Sequence, residues 1–409
     1  MRRIGMLTSG GDCQALNATM RGVAKSLYNM FDDVEIIGFE DGYKGLMYAD
    51  YQIMKSSDFS GILTQGGTIL GTSRQPFKLM RTPDENGLDK VEAMKHTYKK
   101  LKLSCLVVLG GNGSQKTANM LSEEGLNVVS LPKTIDNDLA LTDHTPGYGS
   151  AAKYIGTSTK EIIRDSNALE YGKGLVTVIE IMGRNAGWLT GAAALSKGED
   201  CEGPDLIYLP ELAFDVEKFV EKVKGLLEKK QSVVVAVSEG IRLADGRYVC
   251  ELTDGVDYVD AFGHKQLSGT ANYLACRIAN ELGCKARGIE LSTLQRAASH
   301  LVSRIDIIEA YQVGGAAVKA ADEGDTGEMV ILERISDDPY QCTTSLRNVH
   351  KVSNVEKVVP RKWINEDGDY VTEEFLNYVK PLIQGDYQPI MVNGMPRHLV
   401  LNMKKGRKK

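Results

Sequence analysis

The stretch RIGMLTSGGDCQALNATMRGVAKSLYNMF, residues 3–31, decides the fold class. A short apolar run gives way to a turn of glycine and aspartate, and a longer segment follows that turn. Apolar residues recur in the longer segment at helical spacing: Leu16, Met20, Val23, Ala24 and Leu27. The stretch therefore predicts a buried strand, a tight turn and an amphipathic helix.

The same unit recurs along the chain. Apolar runs followed by glycine turns and helical segments begin at residues 105 and 175. The segments SVVVAVSEG, residues 232–240, and ARGIELS, residues 286–292, are interpreted as further buried strands, because they do not alternate between apolar and polar residues. Buried strands that alternate with helices predict parallel sheets covered by helices on both faces.

Length and composition narrow the class of protein. The chain has 409 residues, a net charge of −5 and 42% hydrophobic residues, which predicts two domains or one large α/β unit with an extension. The basic end KKGRKK is interpreted as a solvated terminus, so no nucleic-acid partner is expected. Seven scattered cysteines, no signal-peptide pattern and no membrane-length apolar run predict a soluble, cytoplasmic protein without a membrane partner.

Three glycine turns are placed to bind an anion: residues 9–12, 66–74 and 110–114. Glycine lets backbone N–H groups approach a ligand closely, and a helix N-terminus favours negative charge. Four arginines follow apolar strands or close such turns: Arg74, Arg184, Arg287 and Arg296. Because arginine suits bidentate phosphate binding, the pattern predicts a ligand with two phosphate positions. A glycine turn alone is also typical of NAD kinases and lipid kinases.

Another stretch, LPKTIDND at residues 131–138, places Lys133, Thr134, Asp136 and Asp138 at the end of an apolar strand. In an extended chain the two carboxylates point the same way. Phosphoryl transfer to a hydroxyl needs a carboxylate base, a metal ion and cations near the transferred group. The stretch supplies such groups, although a capped turn with solvated acids is the alternative interpretation.

The ordered motifs resemble those of the 6-phosphofructokinase family, from residue 3 to about residue 335. They are LTSGGDCQALNA, DGYKGL, GGTILGTSR, GGNGS, PKTIDND, IMGRNAGWLTGAAAL, VSEG and QR. The resemblance implies transfer of a phosphoryl group from ATP or pyrophosphate, with Mg²⁺, to the 1-hydroxyl of fructose 6-phosphate in glycolysis. It also implies a homo-oligomer, a dimer or a tetramer, in which arginines reach a neighbouring subunit's site.

The expected fold is α/β, with two Rossmann-like three-layer domains facing each other across a cleft and a C-terminal extension. The donor-binding domain is expected at residues 1–147, with part of 294–335 returning to it. The sugar-phosphate-binding domain is expected at 148–293. The extension is expected at 336–409, where the strand–turn–helix rhythm is lost.

The resemblance also implies roles for individual residues. Asp136 matches the general base, and Lys133, Asp138 and Arg184 complete the catalytic set. The implied donor-binding residues are Gly11, Arg74, Gln75, Gly111, Asn112, Gly113 and Ser114. The implied substrate-binding residues are Thr134, Ile135, Asp136, Met182, Gly183, Arg184, Glu239, Arg287, Thr293, Leu294, Gln295 and Arg296. Asn112 is the implied Mg²⁺ ligand.

Several positions depart from the family's usual pattern. Asn112 stands where an aspartate is common, and an amide is a weaker magnesium ligand than a carboxylate. Thr293 replaces an aromatic residue or histidine, and Leu175 stands where some relatives have a phosphate-binding arginine. Gly113 leaves room for the α-phosphate of ATP, whereas Lys133 is typical of pyrophosphate users. We expect ATP as the donor, with pyrophosphate as the alternative and a non-catalytic sugar-phosphate sensor as a third hypothesis.

Overall fold

The computed structural model describes residues 1–73, 75–252, 267–352 and 355–401. Arg74, an expected donor-binding residue, lies outside the described residues. The strands are β1 Arg2–Ser9, β2 Val34–Phe39, β3 Tyr51–Met54, β4 Cys105–Gly110, β5 Val128–Pro132, β6 Leu175–Ile181, β7 Leu206–Tyr208, β8 Ser232–Ser238, β9 Lys285–Glu290, β10 Glu328–Asp337, β11 Tyr340–Asn348, β12 Met391–Val392 and β13 Met395–Pro396. The helices are α1 Leu16–Met30, α2 Tyr43–Tyr48, α3 Lys90–Lys100, α4 Asn112–Glu123, α5 Tyr148–Asn167, α6 Trp188–Gly191, α7 Val216–Leu227, α8 Thr270–Leu282, α9 Leu294–Ala297, α10 Arg304–Glu323, α11 Val349–Val352 and α12 Glu373–Val379.

The first of two compact units comprises Met1–Gly147, Arg296–Glu356 and the residues from Gly385 on. Its seven-stranded sheet has the order β11-β10-β5-β4-β1-β2-β3. The five inner strands, β10, β5, β4, β1 and β2, are parallel to one another. The outer strands β3 and β11 are antiparallel to their neighbours β2 and β10. The short strands β12 and β13 pair with each other.

Burial explains why these segments form the sheet of the first unit. Every residue of β4 and β5 is buried, as expected for parallel strands covered on both faces. Helix α1 buries the five apolar residues that its sequence spacing predicted. It crosses α10 closely: a Cβ added at Gly22 would lie 2.2 Å from the carbonyl oxygen of Tyr311. Only glycine permits this approach of the two backbones.

The second unit comprises Tyr148–Gln295 and Lys357–Gln384. Its parallel four-stranded sheet has the order β7-β8-β6-β9. Strands β6 and β8 are wholly buried, as predicted. The prediction that the ARGIELS strand is buried is wrong for β9, whose residues are exposed or half-buried. The reason is its position at the edge of the sheet, where one side has no neighbouring strand among the described residues.

The C-terminal part of the chain is shared between the two units. The expected boundary at residue 336 falls inside β10, which pairs with β11 over most of its length. Residues 357–384 belong instead to the second unit, where aromatic side chains anchor them. The Trp188 ring lies 5.9 Å from that of Trp363, 6.0 Å from that of Phe375 and 5.3 Å from that of Tyr378, measured between centroids.

Both larger sheets consist mainly of parallel strands, and helices pack on them, so the predicted α/β class is confirmed. Within the described ranges, none of the helices has the length and the apolar character needed to cross a membrane.

Candidate active site

Three neighbouring strands of the first unit, β1, β4 and β5, end side by side. Ser9 at the end of β1 pairs in register with Gly110 of β4, and Gly110 pairs with Pro132 of β5. The turns that follow these strands therefore begin at one edge of the sheet. They are the turn at 10–12, the turn into α4 and the turn at 133–138, and all three were expected to carry the donor or catalytic residues.

The GGNGS stretch is less a loop than the start of a helix. Helix α4 begins at Asn112, so Asn112, Gly113 and Ser114 form its first turn, and that turn contains no acidic side chain. The N-cap, Gly111, provides no side-chain hydrogen bond. The first N–H groups of a helix lack partners within the helix and carry a partial positive charge, so this end of α4 favours an anion. Gly113 is exposed.

Lys133 is buried at this edge of the sheet rather than exposed to solvent. Its side chain is 3% exposed, and its ammonium group donates a hydrogen bond to the carbonyl oxygen of Gly11. Burial lowers the pKa of Lys133, whereas the nearby charges of Asp12 and Asp136 favour its protonated form. Burial in turn raises the pKa of Asp12. Lys133 thus joins the turn after β1 to the turn after β5 and brings a positive charge between them.

Asp136 is held by its own turn. The hydroxyl of Thr134 donates to Asp136 Oδ2 at 3.1 Å, and the backbone N–H of Asp136 donates to the same hydroxyl oxygen at 3.1 Å. Asn137 adopts a positive φ of 54°, which turns the chain sharply after Asp136. Thr145 secures both flanks: its hydroxyl donates to Thr134 O at 2.7 Å, and its N–H donates to Asn137 Oδ1 at 3.1 Å.

Asp138 is the second carboxylate of the turn, and its environment differs from that of Asp136. Burial, followed by the charges of Asp136 and Glu356, raises the pKa of Asp138 to about 7. Its Oδ1 atom is buried and finds no hydrogen-bond partner among the described residues. The Oδ1 atom of Asn112 is likewise buried without a partner in the described part of the chain. Two oxygen atoms of the type that Mg²⁺ prefers are thus left unsatisfied at this edge.

The described residues contain no group of three or more His, Cys, Asp and Glu side chains arranged to hold a metal ion. A metal site built only from such side chains is therefore not found in these ranges. Mg²⁺ usually keeps several waters and is bound by one or two protein ligands together with substrate phosphates. The unsatisfied oxygens of Asn112 and Asp138 fit that mode of binding.

In the second unit, a set of backbone hydrogen bonds shapes the turn that follows β6. Met182 N donates to Gln295 Oε1 at 3.1 Å, and Gly183 N donates to Glu239 Oε1 at 3.5 Å. The hydroxyl of Ser238 donates to Gly183 O at 2.5 Å. Four of the expected substrate-binding positions, Met182, Gly183, Glu239 and Gln295, are therefore brought together.

Arg184 continues the same turn, and its backbone is packed tightly against Gly240. A Cβ added at Gly240 would lie 2.0 Å from the carbonyl oxygen of Arg184, a separation that no side chain tolerates. Glu211 fixes the other end of the turn, since its Oε1 accepts from Gly187 N at 2.8 Å and from Val359 N at 2.9 Å. The segment that returns to the second unit is thereby tied to this turn.

Arg287 is not brought together with these residues. It lies within β9, three positions before the strand ends, and pairs in register with Thr177 of β6. Its guanidinium donates to Asp165 at 2.5 Å, to Ser166 at 3.1 Å and to Thr177 at 3.1 Å. In its own chain Arg287 therefore takes part in packing α5 against the sheet.

The remaining expected substrate residues are dispersed. Thr293 is exposed, and Leu294 is 55% exposed. Ile135 is buried and contributes to the core. Arg296 belongs to the first unit, and its Nη1 atom lies 3.8 Å from the position of a Cβ added at Gly11. Its charge therefore adjoins the turn after β1.

Sequence reasoning missed two acidic residues that the structure places at these edges. Asp12 follows β1 within a glycine turn, so the rule that identified Asp136 also applied to it. Glu211 offered no such signal, because one of its two partners, Val359, lies 148 residues further along the chain.

Comparisons with known proteins identify a family. A family model described as phosphofructokinase matches residues 3–321. The pyrophosphate–fructose 6-phosphate 1-phosphotransferase of Halomonas elongata is 35% identical over 95% of this chain and 93% of its own. The ATP-dependent 6-phosphofructokinase of Spirochaeta thermophila is 39% identical over 81% of this chain and 87% of its own. The solved pyrophosphate-dependent phosphofructokinase of Nitrosospira multiformis is 30% identical, covers 97% of this chain and 96% of its own, and superposes with a TM-score of 0.85.

Proposed function

The chain belongs to the phosphofructokinase family and is a 6-phosphofructokinase-type phosphotransferase, and we propose that it uses ATP as the donor and Asp136 as the general base. The reaction is transfer of the terminal phosphoryl group to the 1-hydroxyl of fructose 6-phosphate, which gives fructose 1,6-bisphosphate. The observation that carries this proposal is the meeting of three strand ends in the first unit, with a helix N-terminus, a buried lysine and a fixed carboxylate at one edge.

The donor phosphates are bound by the turns after β1 and β4. Gly11 and the first turn of α4, from Gly111 to Ser114, offer backbone N–H groups, and Arg74 and Gln75 complete the donor set. Gly113 supports ATP, because a Cβ added there meets no atom within 4 Å and the space beside it is open. A nucleotide needs such space beyond the two phosphates that it shares with pyrophosphate.

Pyrophosphate is the second candidate donor, and Lys133 is the observation that favours it. The ammonium group lies beside Gly11, where it adds a fixed charge to the turn after β1. Pyrophosphate lacks a nucleoside, so its binding depends more strongly on fixed cations than the binding of ATP does. Several relatives that align over 95% or 96% of this chain carry the name of the pyrophosphate-dependent enzyme.

Asp136 takes the proton of the 1-hydroxyl as the oxygen attacks the donor. The hydrogen bond from Thr134 holds the carboxylate in one orientation, which a base requires. Lys133 and Arg184 offset the charge that develops during transfer. Asp138 contributes through the metal ion rather than as a second base.

Mg²⁺ would be held by Asn112 and Asp138 together with the donor phosphates. Bound there, the ion neutralises phosphate charge and keeps the donor oxygens in place. Because Asn112 is a neutral ligand, Asp138 supplies the protein's negative charge to this site. Metal binding would favour release of the proton from Asp138, because the positive charge of the ion would offset the cost of burying an ionised carboxylate.

The sugar phosphate is bound in part by the residues around the turn after β6. Met182, Gly183 and Arg184 follow β6, Glu239 accepts hydrogen bonds from sugar hydroxyls, and Gln295 supports this turn through Met182. The other contacts are assigned to Thr134, Ile135, Arg287, Thr293, Leu294 and Arg296.

Arg287 also supports a homo-oligomer, a dimer or a tetramer. Its guanidinium lies away from the carboxyl edge of its own sheet, so a contact with sugar phosphate would be made in a second copy of the chain. All seven cysteines are free thiols, which is consistent with the proposed cytoplasmic location.

The variant Asp136→Asn tests the role of Asp136 as the base. Loss of a general base costs about 10²- to 10⁴-fold in rate, whereas calorimetric binding of fructose 6-phosphate should stay within a few-fold of wild type. Wild-type turnover of fructose 6-phosphate also separates the enzyme from a sugar-phosphate sensor, which would bind the sugar without converting it. A kcat for Asp136→Asn within a few-fold of wild type would show that the base lies elsewhere.

A further inference from the structure

His144 is buried six residues beyond Asp138, and both of its ring nitrogens face carboxylates. Its Nδ1 atom lies 2.8 Å from Asp143 Oδ2, and its Nε2 atom lies 2.6 Å from Glu309 Oε2. The side chain is 2% exposed. An ionised carboxylate only accepts hydrogen bonds, so both ring nitrogens must donate, and a neutral imidazole has only one N–H. With both carboxylates ionised, this geometry needs a doubly protonated ring, an imidazolium ion.

Neighbouring residues also donate hydrogen bonds to both carboxylates. Arg334 donates to Asp143 Oδ2 through Nε at 3.1 Å and through Nη2 at 3.0 Å. The hydroxyl of Tyr340 donates to Glu309 Oε1 at 2.6 Å. The positive side chains His144 and Arg334 thus face the carboxylates of Asp143 and Glu309, and Arg334 also pairs with the exposed Asp337 at 3.0 Å. Pairing of this kind is the condition under which buried charges are tolerated.

The network is joined to the proposed catalytic turn through the next residue in the chain. Thr145, the neighbour of His144, holds Thr134 and Asn137 on either side of Asp136. The preceding residues are tied to β10 as well, since Asp143 N donates to Leu332 O at 2.8 Å. His144 is therefore anchored to α10 and to the β10–β11 hairpin on one side and acts on the turn through Thr145 on the other.

We infer that His144 is a positioning residue for phosphoryl transfer, whose protonated ring fixes the turn of Asp136 against α10 and the β10–β11 hairpin. The inference rests on the proposed role of Asp136 as the base. Loss of the ring would leave a buried carboxylate of Glu309 without its cation, which is costly, so the segment would shift. A displacement of about 1 Å in a reacting group can cost about 100-fold in rate.

The protonation of His144 gives the network a characteristic pH dependence. Burial lowers the pKa of His144, but the charge of Glu309 and the hydrogen bonds to Asp143 and Glu309 outweigh burial and raise the pKa to about 9. Arg334 on β10 stays charged. On β11, burial raises the pKa of Tyr340 and raises that of Cys342 to about 12, so both stay neutral near pH 9. His144 is thus the member of the network that loses its proton first as the pH rises.

The direction of this pH dependence follows from the raised pKa of His144. The stabilising contribution of the charged ring is complete below the ordinary histidine pKa of about 6.5 and is lost as the pH rises through about 9. We expect kcat of the wild-type enzyme with fructose 6-phosphate to fall over the same pH range. Glu309→Gln removes one of the two charges that keep the ring protonated, so the fall should occur at least one pH unit lower.

The test compares kcat and KM for wild type, His144→Gln and Glu309→Gln between pH 6 and pH 10. His144→Gln should reduce kcat about 10- to 100-fold, leave KM for fructose 6-phosphate within about threefold, and lack the fall near pH 9. The control is Lys222→Met in the second unit. This variant breaks the ion pair of Lys222 with the largely buried carboxylate of Asp369 and should leave kcat unchanged. Nitrogen-15 NMR of histidine-labelled protein at pH 7.5 should show two protonated ring nitrogens for the signal that His144→Gln removes.

A neutral His144 in that spectrum would overturn the inference. So would a kcat for His144→Gln equal to that of Lys222→Met, or an unmoved alkaline fall in Glu309→Gln. These results differ from failure of the proposed function, which would appear as wild-type protein that does not phosphorylate fructose 6-phosphate, or as full activity in Asp136→Asn.

Discussion

Replacing Gly113 with aspartate is expected to impair ATP use without harming the fold. A Cβ at this position meets no atom within 4 Å, the residue is exposed, and its φ does not lie in the left-handed region. The new carboxylate would lie in the first turn of α4, where a negative charge stabilises a helix by about 0.3–1 kcal/mol. The thermal midpoint of Gly113→Asp should therefore equal or exceed that of wild type.

The effect on ATP follows from Coulomb repulsion between the new carboxylate and the α-phosphate. Two unit charges 4 Å apart repel by about 1 kcal/mol in water and by about 4 kcal/mol at an effective dielectric constant near 20. At about 1.4 kcal/mol per factor of ten, kcat/KM for ATP should fall between about fivefold and about a thousandfold. Pyrophosphate has no α-phosphate in that position, so its use should be unchanged or should rise.

The assay measures kcat/KM for ATP and for pyrophosphate at saturating fructose 6-phosphate and Mg²⁺, together with the thermal midpoint. Gly225→Asp is the matched control: Gly225 also lies in a helix, α7, and a Cβ there meets nothing within 4 Å, but it belongs to the second unit. Its kcat/KM for ATP should equal that of wild type. A value for Gly113→Asp within twofold of wild type would refute the placement of the α-phosphate beside Gly113.

Three further predictions concern the same edges. In the Gly113→Asp background, Lys133→Met should reduce kcat/KM for pyrophosphate at least tenfold more than for ATP, measured by product formation; equal losses would deny Lys133 a role in donor choice. Gly240→Ala should raise KM for fructose 6-phosphate about tenfold or more while KM for ATP stays unchanged, because the new Cβ would meet the Arg184 carbonyl at 2.0 Å; an unchanged KM for the sugar would contradict this. Since the pKa of Asp138 is raised to about 7, its stabilising contribution is complete below about 3.8 and is lost as the pH rises through about 7. Calorimetry of metal-free protein should therefore show a thermal midpoint that falls between pH 5 and pH 8 in wild type and falls less in Asp138→Asn; parallel slopes would argue against burial of this carboxylate.

The fold class could be predicted because its signals are local. Apolar runs without alternation identify buried parallel strands, and a polar turn after each run identifies the edge where ligands bind in open α/β sheets. Lys133, Asp136 and Asp138 were identified as candidates in this way, and the structure places all three at the end of β5. The resemblance to the family's motifs led to Gly183 and Glu239, which share a hydrogen bond.

Features that depend on distant partners could not be predicted in this way. Arg287 follows the pattern of a phosphate-binding residue, but Asp165 pairs with it from 122 positions earlier in the chain. The two carboxylates that face His144 include Glu309, which is 165 positions away. Tertiary packing decides such pairings, and no periodicity in the sequence records them. The unit to which the C-terminal residues belong was difficult to predict for the same reason. The aromatic cluster around Trp188 packs with only part of them, and that part belongs to the second unit.

Incubation of the wild-type protein with fructose 6-phosphate and Mg²⁺, once with ATP and once with pyrophosphate, shows which donor the enzyme uses. Phosphorus-31 NMR identifies both the product and the spent donor in each reaction. We predict fructose 1,6-bisphosphate and ADP with ATP, at a kcat/KM at least tenfold higher than with pyrophosphate. Turnover with pyrophosphate alone would contradict the choice of donor, and no fructose 1,6-bisphosphate with either donor would contradict the proposed function itself.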